Sequence, residues 1–293
     1  MSEHSRFRSV LFGLLFFLSI AILGGMIVCY VPTILSQPLE FQAGPLILGF
    51  VIYSLDLLLA IVSWWLIMSR LTRGISFREH LRIYCLTLFS RRLPGVPWHF
   101  ATRAVAYKRF GVEPVITTIA TGMETLLITA TGFFVSPLIW FILPDNLQSQ
   151  LRWMFLILIP CLVIVHPKVV AWIIKCFSKN EIAVGFGYAD LLMLIGEYVL
   201  VWGVGGIVLY ALIVALYPLP PSQIPGVLGA WALSGAIASI ATFTPTSFGV
   251  REISLGLLLA IFIPPGLAAV VTILSRLYLT GIELFWSLVA TRI

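Results

Sequence analysis

Apolar residues in this chain run in long blocks. They do not alternate as in a half-buried strand or recur every 3.6 residues as on a surface helix. Six blocks, 10–30, 45–69, 114–143, 151–166, 186–217 and 266–291, predict membrane-crossing helices, since roughly 20 apolar residues in a helix span about 30 Å of hydrocarbon. Two further regions, 80–110 and 226–263, are apolar but interrupted. The first is broken at Leu93-Pro94-Gly95-Val96-Pro97, the second at Thr244-Pro245-Thr246-Ser247-Phe248-Gly249. Backbone facing lipid must satisfy its own hydrogen bonds, and the period-2 pattern of a barrel is missing, so the spans are helical. The pattern predicts an all-α, polytopic integral membrane helix bundle. It has six full spans plus two broken, re-entrant hairpins, in a single transmembrane domain over residues 1–293.

Composition sharpens this picture. Of the 293 residues, 60% are hydrophobic and 10% charged, against about 25% charged in a soluble domain, and mean hydropathy is +1.06. Such a chain cannot cover itself with polar groups, so a water-soluble fold is excluded. The net charge of +6 has no solvated domain to carry it toward nucleic acid. It reads as the excess of Lys and Arg in cytoplasmic loops. With the N-terminus in the cytoplasm, Arg6, Arg8, Arg70, Arg73, Arg78, Arg82, Arg91, Arg92, Arg103, Lys108, Arg109, Lys168, Lys175, Lys179 and Arg292 all fall on or enter from that side. Of the 18 Lys and Arg, only Arg152, Arg251 and Arg276 do not. The expectation is a multi-pass protein of the cell (inner or plasma) membrane with both termini cytoplasmic. The 10–30 block exceeds the apolar core of a signal peptide and no small-x-small site follows it, so it reads as an uncleaved span. Cys29, Cys85, Cys161 and Cys176 lack metal or redox spacing. No metal or cofactor is expected. Trp98, Trp153 and Trp286 lie near predicted span ends, where an aromatic belt would place them.

Divided near residue 146, both parts read span, span, broken hairpin, span, the second starting from the opposite side. That is the layout of an inverted-topology repeat, with pseudo-repeats of about 1–146 and 147–293. Paired Gly/Pro-interrupted segments are its pointer to a binding site. Asp56 and Glu197 lie at similar depth in the second span of each part, and Glu124 and Arg276 in the last.

The breaks supply candidate chemistry. Ser76-Phe77-Arg78-Glu79 fits a capping box opening a helix near 77. Pro94, Gly95 and Pro97 stop that helix, and a new one starting at Pro97 or Trp98 carries Arg103, Lys108 and Arg109. At the second break Pro245, Ser247 and Gly249 precede Val250-Arg251-Glu252, which opens the next helix. A helix N-terminus and a guanidinium suit a phosphate. A structural pair of Arg251 with Glu252 or Glu283 is the plainer alternative. Asp56, Glu124, Glu197 and Glu283 are functional candidates because ionisable side chains inside a membrane are costly. The first pairing to test is Arg276 with Glu124. Asp56 and Glu197 are candidates for proton coupling, and His99 could titrate near neutral pH. No Walker loop, HExxH, G-x-S-x-G or dinucleotide fingerprint is present.

Leu93-Pro94-Gly95, with Arg103 nine residues after the proline, resembles the "PG…R" signature of the lysylphosphatidylglycerol synthase transmembrane-region family. Thr244 to Glu252 resembles that family's "PGGLGVRE" motif, and Ile273-Leu274-Ser275-Arg276-Leu277 resembles the arginine segment that follows. Glu124 sits where the family often has Glu-Arg. Thr244-Pro245-Thr246-Ser247 replaces the usual glycine pair, Thr125 the arginine after the glutamate, and Ile128 a common aspartate. The resemblance implies a flippase-like domain that moves a phospholipid, or a helper of polyprenyl-linked sugar pathways. No stretch resembles the soluble aminoacyltransferase of fused members, so enzymatic charging of a lipid is not expected.

The leading expectation is a lipid translocase that holds an anionic headgroup near the midplane. Arg103, Arg251 and Arg276 would bind it, and Glu124, Glu252 and Glu283 would balance them. The partner is a phospholipid or polyprenyl-linked lipid, with a lipid-synthesis enzyme as a further possible partner and no nucleic acid. Two alternatives stay open: a membrane enzyme or accessory subunit of lipid-headgroup or glycolipid synthesis, with Asp56 and Glu124 as acid–base groups, and a secondary transporter of a small anion.

Overall fold

The computed structural model describes residues 42–88, 90, 98–177, 186–241 and 249–292. The expected first span at 10–30 lies outside them, as do Pro94, Gly95, Pro97, Pro245 and Ser247. Every regular element among the described residues is helical. In chain order these are α1 (Ala43–Leu71), α2 (Phe77–Leu88), α3 (Trp98–Lys108), α4 (Pro114–Val135, extended by a 3-10 turn at Ser136–Ile142), α5 (Asp145–Leu151), α6 (Leu158–Ile164, after a 3-10 turn at Arg152–Ile157), α7 (Pro167–Phe177), α8 (Tyr188–Val214), α9 (Ile224–Ala241), α10 (Val250–Leu259) and α11 (Pro265–Arg292).

Five stretches are long and apolar enough to cross a membrane: Ala43–Leu71, Pro114–Phe141, Tyr188–Val214, Pro221–Ala241 and Pro265–Arg292. Four match expected spans. The expected span at 151–166 does not form as one helix. Pro160 lacks a backbone donor and fits only the first turn of a helix, so α6 begins at Leu158 behind a 3-10 turn. The fifth long helix is instead the first limb of the second interrupted region.

Packing around α1 fixes the bundle. The Gln42 N–H donates to the Ala215 carbonyl at 3.0 Å, and Arg70 pairs with Asp190 at the opposite end. Helices α1 and α8 therefore run antiparallel. Helix α11 runs parallel to α1, since the Tyr278 hydroxyl reaches the Leu46 carbonyl and Trp286 Nε1 donates to Ser54 Oγ at 2.9 Å. Trp286 thus lies against the middle of α1, roughly 25 Å along it from Leu71, and not in an interfacial belt. Helix α2 packs on α11 and α9 packs on α4, while α3 packs on α4 and α10 on α11. The first limb of each interrupted region thus rests on the last long helix of the other part.

Small residues bring α9 close to its neighbours, as expected where helices associate without a solvent-driven term. A Cβ at Gly229 would overlap the Ile139 backbone, and one at Gly235 would overlap the Trp202 ring. Trp202 is held by its Nε1–H donating to the Ile128 carbonyl at 2.9 Å.

Candidate functional site

The first cluster forms where α3 meets α4. Arg103 is 0% exposed and pairs with buried Glu124. Its guanidinium carbon lies 4.0 Å from the Trp64 ring centroid and 4.5 Å from that of Tyr84. A guanidinium is weakly hydrated and stacks well on aromatic faces, which lowers the cost of burying it. The Tyr84 hydroxyl donates to Glu124 Oε1 at 3.0 Å. Among the described residues, Arg103 Nε and one Nη have no hydrogen-bond acceptor. The cage neutralises the charge but leaves donors available to a second anion.

A hydrogen-bond chain stiffens this cage. Trp64 Nε1 donates to the Tyr107 hydroxyl at 2.7 Å, which lies 2.6 Å from His80 Nδ1. The hydroxyl has a proton and a second lone pair besides the one that accepts from Trp64, so it links the two rings with either tautomer of His80. Burial pushes His80 down to about 4, against the opposing pull of Glu79. An unfolded histidine titrates near 6.5. Stability from this group is therefore full above about pH 6.5 and is lost as pH falls toward about 4, by at most about 1.4 kcal/mol per pH unit. Thermal unfolding at pH 7.5 and pH 5 should show this loss in the wild type, and His80→Asn should flatten it. Parallel losses in the two proteins would rule the assignment out.

The second cluster forms where α9, α10 and α11 meet. Gly249 takes φ 90°, a left-handed conformation that glycine adopts without strain. It turns the chain into α10, so that Arg251 and Glu252 occupy the first turn. Glu252 pairs with Arg276 of α11. The Arg251 guanidinium lies 4.0 Å from the Trp231 ring centroid. Trp231 reaches that position because residue 205 is glycine; a Cβ there would sit 2.5 Å from its Nε1. Thr272, Ser275, Leu255 and Leu279 complete a cavity of about 20 Å³, room for about one water.

Five of the six sequence-predicted binding residues thus divide between two clusters, and the six do not form one convergent set. Glu124 pairs with Arg103 and Arg276 with Glu252, in place of the expected Arg276–Glu124 pair, and Arg251 stacks on Trp231. The physical reason is proximity: each of these pairs joins a short helix to the long helix that follows it, and so stays within one part. Measured along α1, the Trp64 level of the first cluster and the Leu46 level reached by Tyr278 are roughly 25 Å apart. Glu283 lies between them, accepting the Tyr53 hydroxyl at 2.7 Å. Asp56 is buried on α1, and Glu197 accepts from Ser63 Oγ at 2.8 Å. His99 is buried with its ring against Phe100.

Sequence reasoning missed Trp64, Tyr84, Tyr107, His80 and Trp231. Aromatic residues in apolar helices carry no local mark of a cation on their face. The long separations in sequence, 43 residues from Trp64 to Tyr107 for example, hide the chain of contacts.

The chain defines a polytopic helical bundle with two internal arginine–glutamate clusters. Comparison with protein-family models found none that matches, and comparison with curated proteins also found no match.

Proposed function

We propose that this chain is a lipid translocase that passes an anionic headgroup, from a phospholipid or a polyprenyl-phosphate-linked lipid, between two arginine sites facing opposite leaflets. The observation that carries the proposal is the charge-reversed pairing of the clusters. In the first part the short helix after the break supplies arginine and the next long helix glutamate, Arg103–Glu124. In the second part the short helix supplies glutamate and the long helix arginine, Glu252–Arg276. With the reciprocal packing of α2 on α11 and α9 on α4, this supports an inverted repeat, and the Lys and Arg distribution supports cytoplasmic termini.

The geometry suits an exchange of anions. A lipid phosphate that takes the place of a carboxylate at Arg103 or Arg276 keeps the guanidinium paired, and the displaced Glu124 or Glu252 takes up a proton, so no lone charge is left in the bundle. Two sites roughly 25 Å apart along α1 match entry and exit for a headgroup crossing about 30 Å of bilayer core. Rocking of one part against the other would open one cluster at a time. The one-water cavity at Arg251 corresponds to a closed state in this cycle.

The test is reconstitution in vesicles with acyl-labelled phosphatidylglycerol and, separately, a labelled short-chain polyprenyl phosphate, following label exposed to an impermeant quencher. Wild-type protein should exchange one of them at least tenfold faster than Arg251→Ala. Equal rates in two well-folded proteins would refute the assignment. Uptake of free phosphate without lipid movement would favour the small-anion transporter instead.

A further inference from the structure

One buried face of α1 carries Tyr53, Asp56, Ala60, Ser63 and Trp64, a spacing that keeps them on one stripe of the helix. Three carboxyls from three helices follow it. Glu283 of α11 accepts the Tyr53 hydroxyl at 2.7 Å, and Glu197 of α8 accepts from Ser63 Oγ at 2.8 Å. Between them Asp56 is 6% exposed, and its Oδ1 has no hydrogen-bond partner among the described residues. The stretch from Tyr53 to Ser63 covers roughly 15 Å, about half the hydrocarbon thickness.

The other acids inside the bundle have donors. Glu124 has Arg103 and Tyr84, Glu252 has Arg276, and Glu283 and Glu197 have hydroxyls. The remaining titratable and charged groups on helices packed against α1 are Arg78, Glu79, His80, Arg82, Tyr84 and Cys85 on α2, Glu124 on α4, Tyr188, Asp190, Tyr198 and Tyr210 on α8, and Arg276, Tyr278 and Arg292 on α11. Both bundle arginines with ion pairs, Arg103 and Arg276, are held by other carboxylates. An ionised carboxylate short of donors is strongly unfavourable in this apolar setting, and binding a proton removes the charge. A hard metal cation needs several oxygen ligands at once. No group of three His, Cys, Asp or Glu side chains able to hold a metal occurs among the described residues. A proton needs one lone pair.

We propose that Asp56 is the proton-binding site of the transport cycle, with Glu283 and Glu197 as the groups through which its proton is gained and lost. This rests on the translocase reading above and names its coupling ion. The step is proton transfer alone: the O–H bond at Asp56 breaks as one forms on a water that enters the bundle, which gives up a proton in turn to a carboxylate oxygen of Glu283 or Glu197, and no electrons change hands. One headgroup charge and one proton crossing together move no net charge. A transmembrane proton gradient is the driving force.

Vesicles holding the full chain and labelled phosphatidylglycerol or polyprenyl phosphate, with a trapped pH dye, test this under imposed pH gradients. Wild-type protein should move lipid toward the alkaline leaflet several-fold faster than toward the acidic one, with matching proton flux. In Asp56→Asn that ratio should fall to about one and the flux should vanish. Lipid movement that ignores the pH gradient, or that follows a sodium gradient instead, overturns the proton site and leaves the translocase standing. If no labelled lipid moves, the translocase reading fails, and infrared spectroscopy of the purified protein at neutral pH decides the proton site separately. A protonated-carboxyl carbonyl band that disappears in Asp56→Asn supports it, and absence of such a band in the wild type refutes it.

Discussion

Arg103→Ala should cost about 3–5 kcal/mol of folding stability, because it leaves Glu124 buried without its cation. Lipid exchange should fall to background. Both effects follow from one environment: Arg103 is fully buried between Trp64 and Tyr84 and pairs with Glu124. Loss of stability alone would not separate a structural ion pair from a transport site. The double variant Arg103→Met with Glu124→Met separates them. It leaves no lone charge, and buried pairs replaced by apolar side chains of similar volume are often near neutral in stability. Unfolding in denaturing detergent should therefore place the double variant close to wild type, while exchange remains at background. Wild-type exchange by the double variant would show that the pair serves the fold only. Arg103→Lys should fall short as well, since an ammonium keeps the charge but loses the flat face stacked on Trp64.

Gly229→Ala should be the most damaging single-methyl addition in the bundle, lowering stability by about 2–3 kcal/mol. The added carbon would meet the backbone of Ile139 and has no flexible side chain to push aside. The consequence reaches beyond local packing. Helix α9 carries Trp231, on which Arg251 stacks, so moving α9 away from the Ser136–Ile142 turn disturbs the second cluster. Gly203→Ala is the control. It lies in α8 with nothing within 4 Å of the new carbon, and alanine is favoured over glycine in a helix. Its unfolding midpoint should match or exceed wild type. If Gly229→Ala unfolds no earlier than Gly203→Ala, the close approach of α9 to Ile139 is not a feature of the folded protein.

Much of the fold was legible because the bilayer imposes a simple rule. A block of apolar residues long enough to cross hydrocarbon must be a helix, and α1, α4, α8 and α11 follow from block length alone. The positions where α2, α3 and α10 begin were legible too, from Ser76, from the Pro94–Pro97 break and from Gly249, because caps and breaks are local. The block at 151–166 misled because its hydropathy was weighed without the position of Pro160. Hydropathy reports partition, whereas a proline sets where a helix can start.

The charged residues at the clusters were also legible, since lysine, arginine, aspartate and glutamate stand out against an apolar background. Their partners were not. Depth in the sequence suggested Arg276 with Glu124, but depth is one coordinate of three, and two side chains at similar depth can face different neighbours. The rotation of each helix decided that Arg103 would meet Glu124 between Trp64 and Tyr84, and that Glu252 would meet Arg276. By itself, then, the sequence determined that the chain is a helical membrane bundle, where its helices break, and which few side chains bear charge inside it. Only the tertiary structure decided which charges neutralise one another and which aromatic faces cover them. It also left Asp56 Oδ1 without a partner among the described residues, because those outcomes depend on helix rotation and contact across the bundle, and neither is encoded in the order of apolar blocks.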